Sequence, residues 1–260
     1  MYAVNGIVSL AISGGLMVGM FAAVEVGRRI GRRRLAEIGE SARVGTGPVE
    51  GAVFGLLGLL LAFTFSGAAS RFDTRRQQVL EEANAIGTAW LRLDLAPSDA
   101  QPPLRDLFRR YVDSRLEAYR RLPDIEAARA VIAQSLGLQT EIWQAATAAA
   151  GRSATPATAT LLLPALNTMF DIVTTRTQAT QTHPPTVIYV LLFALSLICA
   201  MLAGHAMAGA RRRNWLHTAG FAVVMALSVY VILDLEYPRL GLIRIDAVDQ
   251  LLVDVRQTMG

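Results

Sequence analysis

Four stretches of this chain, 7–27, 51–70, 186–209 and 216–233, are each an almost unbroken run of apolar residues about 20 long. A helix needs about 20 such residues to cross a hydrocarbon core of about 30 Å, and in lipid every backbone amide must be satisfied within its own segment. The runs therefore predict an all-α integral membrane protein with four transmembrane helices. The long interval between the second and third runs reads as an extramembrane helical bundle inserted between them. The expected organisation is a transmembrane hairpin over 1–70 with a basic loop at 28–50, a helical bundle over 71–185, a second hairpin over 186–236 and a C-terminal tail over 237–260. The opening MYAVNG lacks the basic residues of a signal sequence, so the first run is expected to stay as a span.

Charge placement sets the topology. All 25 basic residues are Arg, and the net charge is +4. A basic chain of this kind can suggest nucleic acid, but the Arg residues crowd against spans: Arg28, Arg29, Arg32, Arg33 and Arg34 follow the first, and Arg211 to Arg213 follow the third. Short basic loops stay in the cytoplasm, so residues 71–185 are expected outside it, with no nucleic acid as partner and the bilayer as environment.

Span two raises the most specific question. LLAFTFSGAASRFDTRR, 60–76, turns from apolar to charged with no helix breaker. The helical pattern then continues, with Val79, Ala83, Ile86, Trp90 and Leu93 at three-and-four spacing, until Pro97, Pro102 and Pro103 interrupt it. Three more helices follow: one carrying Leu104, Phe108, Tyr111, Val112, Arg115 and Tyr119, one over DIEAARAVIAQSLGLQTEIWQAATAAA, and one from about Ala157 to Gln181 with Pro164 in its early part. Together they read as a four-helix bundle.

Catalytic chemistry is not indicated. The chain has no phosphate-binding loop, no HExxH and no GxSxG, and His183, His205 and His217 are scattered. Cys199 is the only cysteine and lies within span three, which excludes a disulfide framework and a Cys-based metal site. No cofactor or metal is expected. The numerous Arg, Asp and Glu residues of 71–176 nearly balance and read as a solvated, salt-bridged surface.

Charges in or beside the spans carry more information, because they are expensive in hydrocarbon. Glu25 precedes Arg28 and Arg29 and is expected to pair at the interface. Asp234 and Glu236 end span four, with Arg239 and Arg244 close by as expected partners. In span two Gly51, Gly55 and Gly58 permit close helix approach. Further along, Ser66, Ser70 and Asp73 share one stripe, with Phe63 and Gly67 on a neighbouring one. Such a stripe suits a helix lining a narrow hydrated pore, with hydroxyls replacing lost hydration and aromatic rings gating by dewetting. The plainer account is that the hydroxyls bond to backbone carbonyls four residues earlier while the rings pack.

The run GAVFGLLGLLLAFTFSGAASRFDTRRQQVLEEANAIGTAWLRLDL, with PALNTMFDIVTTR, HPP and DLEYPRLGLIR, resembles the bacterial bestrophin-like family of four-span membrane proteins, over most of the chain. That family is distantly similar to the bestrophin channels. The resemblance implies a bacterial plasma-membrane protein that assembles as a homo-oligomer, a pentamer by analogy, and passes inorganic ions. It makes Phe63 and Phe65 candidate neck residues with Thr64, Ser66 and Ser70 beside them, and Arg71, Asp73, Arg75 and Arg76 candidates for the pore mouth. The acidic calcium clasp of animal bestrophins has no counterpart here. In bestrophins the helical domain is cytoplasmic, whereas the Arg distribution places 71–185 outside. A membrane-anchored helical sensor or scaffold is the alternative to conduction; a transporter is a third class, for which four spans without paired broken helices offer little machinery.

Overall fold

The computed structural model describes residues 6–39, 47–121, 124–210, 214–239 and 241–260. Arg43 and the cluster Arg211 to Arg213, on which the topology expectation leans, lie outside the described residues. All regular structure among the described residues is helical: α1 (Gly6–Ile38), α2 (Gly47–Arg92), α3 (Gln101–Arg120), α4 (Ile125–Arg152), α5 (Leu163–Gln181), α6 (Thr186–Ala206), α7 (Trp215–Glu236) and α8 (Asp246–Gln257). Four helical stretches, carrying α1, α2, α6 and α7, are long and apolar enough to cross a membrane. Of these, α1 and α2 far outrun the apolar stretches that predicted them. The reason is local: RRIGRRRLAEI and RFDTRRQQVLEEANA contain good helix formers and no proline. The 46 residues of α2 amount to about 69 Å of continuous helix.

Two compact units divide the chain, one of residues 1–71 with 183–242 and one of 72–182 with 243–260. In the first, α1 packs against both α6 and α7. Its buried residues, Ser9, Ser13, Leu16, Met20, Val24, Gly27 and Gly31, recur at three-and-four spacing. Glycine sets how closely α1 meets α6. A Cβ on Gly27 would collide with the Met201 carbonyl, and one on Gly204 with the Val24 carbonyl. The two backbones touch, which is how helices gain dispersion contact where no hydrophobic effect drives them together.

The second unit is a helical bundle with its own core. The α2 stripe Val79, Ala83, Ile86, Trp90 and Leu93 is buried against Leu104, Phe108, Tyr111 and Val112 of α3, Leu138, Ile142 and Ala146 of α4, and Leu166 and Met169 of α5. A single 3-10 turn, Leu93–Leu95, and the extended Ala96 end α2. Pro102 and Pro103 then sit in the first turn of α3, where a missing N–H costs nothing. Asp124 caps α4, its carboxylate accepting from the Ala127 N–H at 3.0 Å. Pro164 does not kink α5 in its interior: it falls in the first turn, after a π-helical stretch at Thr158–Leu162. Sequence assigned no element to the tail, yet part of it forms α8, which packs on α3 and buries Leu252 and Met259 in the core.

Inside this bundle lies a charged cluster that sequence read as surface. Glu82 is fully buried and accepts from Arg115 Nε at 2.7 Å, from Arg115 Nη2 at 3.3 Å and from Arg176 Nη1. The Tyr119 hydroxyl accepts from Arg115 Nη2 at 2.8 Å, and its ring lies under both guanidinium groups. One carboxylate thus holds α2, α3 and α5 together.

Candidate functional site: the second apolar helix

Of the four apolar helices, α2 is the least covered by its own chain. Only 11% of its apolar window is buried, against 33% for the windows that contain α6 and α7. What covers it lies on one side. Leu57 and Ala68 are buried, Phe54 meets Phe221 of α7 at 5.9 Å between ring centroids, and the Cys199 thiol of α6 faces the Val53 carbonyl at 3.8 Å. At 100° per residue these positions gather on one flank of the helix. The opposite flank is exposed from Gly51 through Gly55, Gly58, Ala62 and Ser66 to Ser70. Small and hydroxyl side chains make up most of it, with Leu59 among them and Leu56 at its edge.

The residues singled out from sequence divide between these flanks. Ser66 and Ser70 are on the exposed side. Thr64 is not: its hydroxyl donates to the Leu60 and Leu61 carbonyls at 2.9 and 3.0 Å, so the plainer of the two accounts applies to it. Phe63 and Phe65 are both exposed, at 68% and 47%. Being two residues apart they point about 200° away from each other around the helix, one at each edge of the exposed flank. They do not form one ring-bearing stripe.

The four mouth residues also separate. Arg71 turns to the covered side, where its Nε donates to Glu236 Oε1 at 2.8 Å and its Nη2 to the same oxygen. Arg75 is buried, and its guanidinium donates to the carbonyls of Ala179 and Thr182 at 3.2 and 3.1 Å. That is the C-terminal end of α5, where a cation also meets the negative pole of the helix. Asp73 and Arg76 remain exposed and face each other at 3.5 Å. Of the four candidate mouth residues, Arg71 and Arg75 thus bond within the chain and Asp73 and Arg76 form a surface pair.

At the end of α7 the carboxylates have specific work. Glu236 is fully buried between Arg71 and His183, whose Nδ1 lies 3.3 Å from Oε2. The imidazole also stacks on Tyr237 at 4.7 Å. Asp234, likewise buried, accepts from the Leu242 N–H at 3.1 Å and from the Tyr230 hydroxyl at 3.4 Å. Gly241 is required beside it, since a Cβ there would strike the Asp234 carboxylate. Arg239 is half-buried in the turn after α7. Glu25 of α1 accepts from Arg29 Nε at 3.1 Å, as sequence expected.

Sequence reasoning missed the partners of Glu236, because Arg71 is 165 residues away and His183 is 53. It had a signal for the Glu82 cluster: Arg115 falls on the apolar stripe of α3, and an Arg at a core position calls for buried acceptors, of which a carboxylate is the strongest. Among the described residues no group of three or more His, Cys, Asp or Glu side chains is arranged to hold a metal ion.

Comparisons with known proteins agree with this architecture. No curated protein matches the sequence. Among solved structures the fold is similar to that of a bacterial bestrophin homolog from Klebsiella pneumoniae carrying a tyrosine-to-alanine substitution. The TM-score is 0.63 with 14% sequence identity, over 96% of this chain and 98% of that one. The Bestrophin-like domain matches residues 11–249, nearly the whole chain, and the chain belongs to the Bestrophin-like family.

Proposed function

We propose that this protein is a subunit of a homo-oligomeric ion channel whose pathway is lined by the exposed flank of α2. The observation that carries the reading is that flank itself. A membrane helix with Gly51, Gly55, Gly58, Ala62, Ser66 and Ser70 in a row, left uncovered by its own chain, is suited to face other copies and water rather than lipid tails. Family membership supports the same class, since bestrophins conduct ions and are not enzymes. A pentamer, residence in a bacterial plasma membrane and an extracytoplasmic helical bundle over 71–185 complete the proposal. Asp73 and Arg76 pair with each other while Arg71 and Arg75 bond within the chain, so no ion is assigned.

Recording from purified oligomer in planar bilayers under asymmetric KCl tests this. Wild type is expected to give a reversal potential. Because the two rings stand one at each edge of the lining flank, Phe63→Ala or Phe65→Ala is expected to change unitary conductance. Silence of the wild type in every common salt would leave α2 as an assembly surface and favour the sensor or scaffold reading. Unchanged conductance in both substitutions, with a conducting wild type, would refute the assignment of this flank as the lining.

A further inference from the structure

At the end of α1 that carries the Arg residues, the first unit has an amphipathic groove of about 510 Å³, bounded by α1, the 3-10 turn after α6 and the first turn of α7. One end is apolar. Val18 is 66% exposed there, and the ring of Phe21 meets that of Trp215, itself 57% exposed, at 6.4 Å. The other end is polar, formed by Glu25, Arg28, Arg29 and Asn214.

Arg28 is the unusual member. More than nine-tenths of it is buried, because Gly27 and Gly204 bring α1 hard against α6 beside it. Yet no carboxylate pairs with it among the described residues. Among the described residues its one hydrogen bond, to the Ala210 carbonyl, is long at 3.5 Å, and its Nε has no partner. Burying a guanidinium this way is costly unless an anion completes it. Glu25, which accepts from Arg29 at 3.1 Å, forms no ion pair with Arg28 among the described residues. The groove lining therefore keeps one positive charge in excess, at the position of a buried and incompletely bonded donor.

We propose that this groove binds an anionic phospholipid, its phosphodiester on Arg28 with help from Asn214, and part of an acyl chain along Val18, Phe21 and Trp215. The dimensions favour a lipid over free phosphate. Ten residues of α1 separate Val18 from Arg28, about 15 Å of helix, and a soluble anion would leave the whole aromatic end unused. Basic pockets between membrane helices at the headgroup level, with Trp at the interface, are the chemistry that selects such lipids.

Quenching of Trp215 by brominated lipids reads the site directly, independently of conduction. The full-length oligomer is placed in phosphatidylcholine vesicles with rising fractions of either brominated phosphatidylglycerol or brominated phosphatidylcholine. For wild type, half-maximal quenching is expected at about five-fold lower fraction of the anionic lipid. Trp215→Phe should remove the lipid-sensitive component, Arg28→Gln should merge the two curves, and Arg28→Lys should keep part of the gap. Coincident curves in wild type overturn the proposal even if Arg28→Gln proves too unstable to purify, as does an undiminished gap in a folded Arg28→Gln. Loss of the gap in excess inorganic phosphate would reassign the site to a soluble anion, and a gap that survives the excess supports the lipid.

Discussion

Glu82→Gln is the most informative single change in the helical bundle. The carboxylate carries one negative charge at 0% exposure and holds two guanidinium groups, Arg115 and Arg176, themselves at 4% and 10% side-chain exposure. Glutamine keeps the shape, but it neutralises the only acid in the cluster and sets an NH2 donor against guanidinium donors. Breaking a buried pair by deleting one partner costs about 3–5 kcal/mol, and here two cations are stranded at once. At roughly 3 °C per kcal/mol for a chain of this size, the apparent melting midpoint should fall by about 10 °C. Arg115→Met is the control that isolates the reasoning. It leaves Glu82 with Arg176 as a one-to-one pair, removes the excess positive charge and loses only charge-assisted hydrogen bonds, about 2 kcal/mol. The assay is tryptophan fluorescence during thermal unfolding at one scan rate, since Trp90 lies in this core and Trp143 packs against it. A loss from Arg115→Met equal to or larger than that from Glu82→Gln would refute the view that one acid is shared by two cations.

Three further outcomes follow from packing and ionisation. Gly204→Ala should lower the yield of folded protein and its melting midpoint, because the added methyl meets the Val24 carbonyl; Gly58→Ala, with nothing within 4 Å, should leave the isolated chain's stability unchanged. Size-exclusion profiles and melting curves of the two variants measure the difference. Burial raises the pKa of Tyr111, outweighing the opposing effects of Arg115 and its hydrogen bond with Gln139. The stability that depends on its neutral form is therefore complete below about pH 10 and lost as pH climbs through the raised value. Tyr111→Phe should flatten that alkaline limb in pH-dependent melting, at a cost of about 1 kcal/mol at neutral pH for the lost hydrogen bond. Cys199 is buried against α2, so a maleimide should label it only after denaturation, as mass measurement before and after will show.

The features legible in the sequence were those that repeat along one element. Apolar runs gave the four membrane helices because length and hydropathy are summed over about 20 residues and tolerate local error. The stripe from Val79 to Leu93 was legible for the same reason, and all five of its residues are buried. Illegible were the contacts that join distant elements through one or two atoms. Arg71 and Arg75 look like a cationic mouth when read along α2, yet each is spent on a partner more than 100 residues away. Glu82 looked like one of many balanced surface charges, although the presence of Arg115 on an apolar stripe already called for buried acceptors. A helical charge read by itself gives the face it occupies. Only the packing of the next helix decides whether that face meets water.

That distinction bears most on α2. Its covered flank is tied down by ordinary apolar contacts at Leu57, Ala68 and Phe54 and, in Thr64, by a hydroxyl that satisfies itself on its own backbone. Its free flank has small residues where a lipid-facing helix would carry large apolar ones, and hydroxyls where hydrocarbon would penalise them. A flank of that composition is stable only if something other than acyl chain covers it. Neighbouring copies can close over the glycines, but Ser66 and Ser70 are best served by water. A helix so divided, covered on one side and open on the other, is what the proposed ring of identical subunits asks of it. If the ring is real, Ser66→Leu should leave assembly intact while removing conduction, and a variant that still conducts normally would place the water elsewhere.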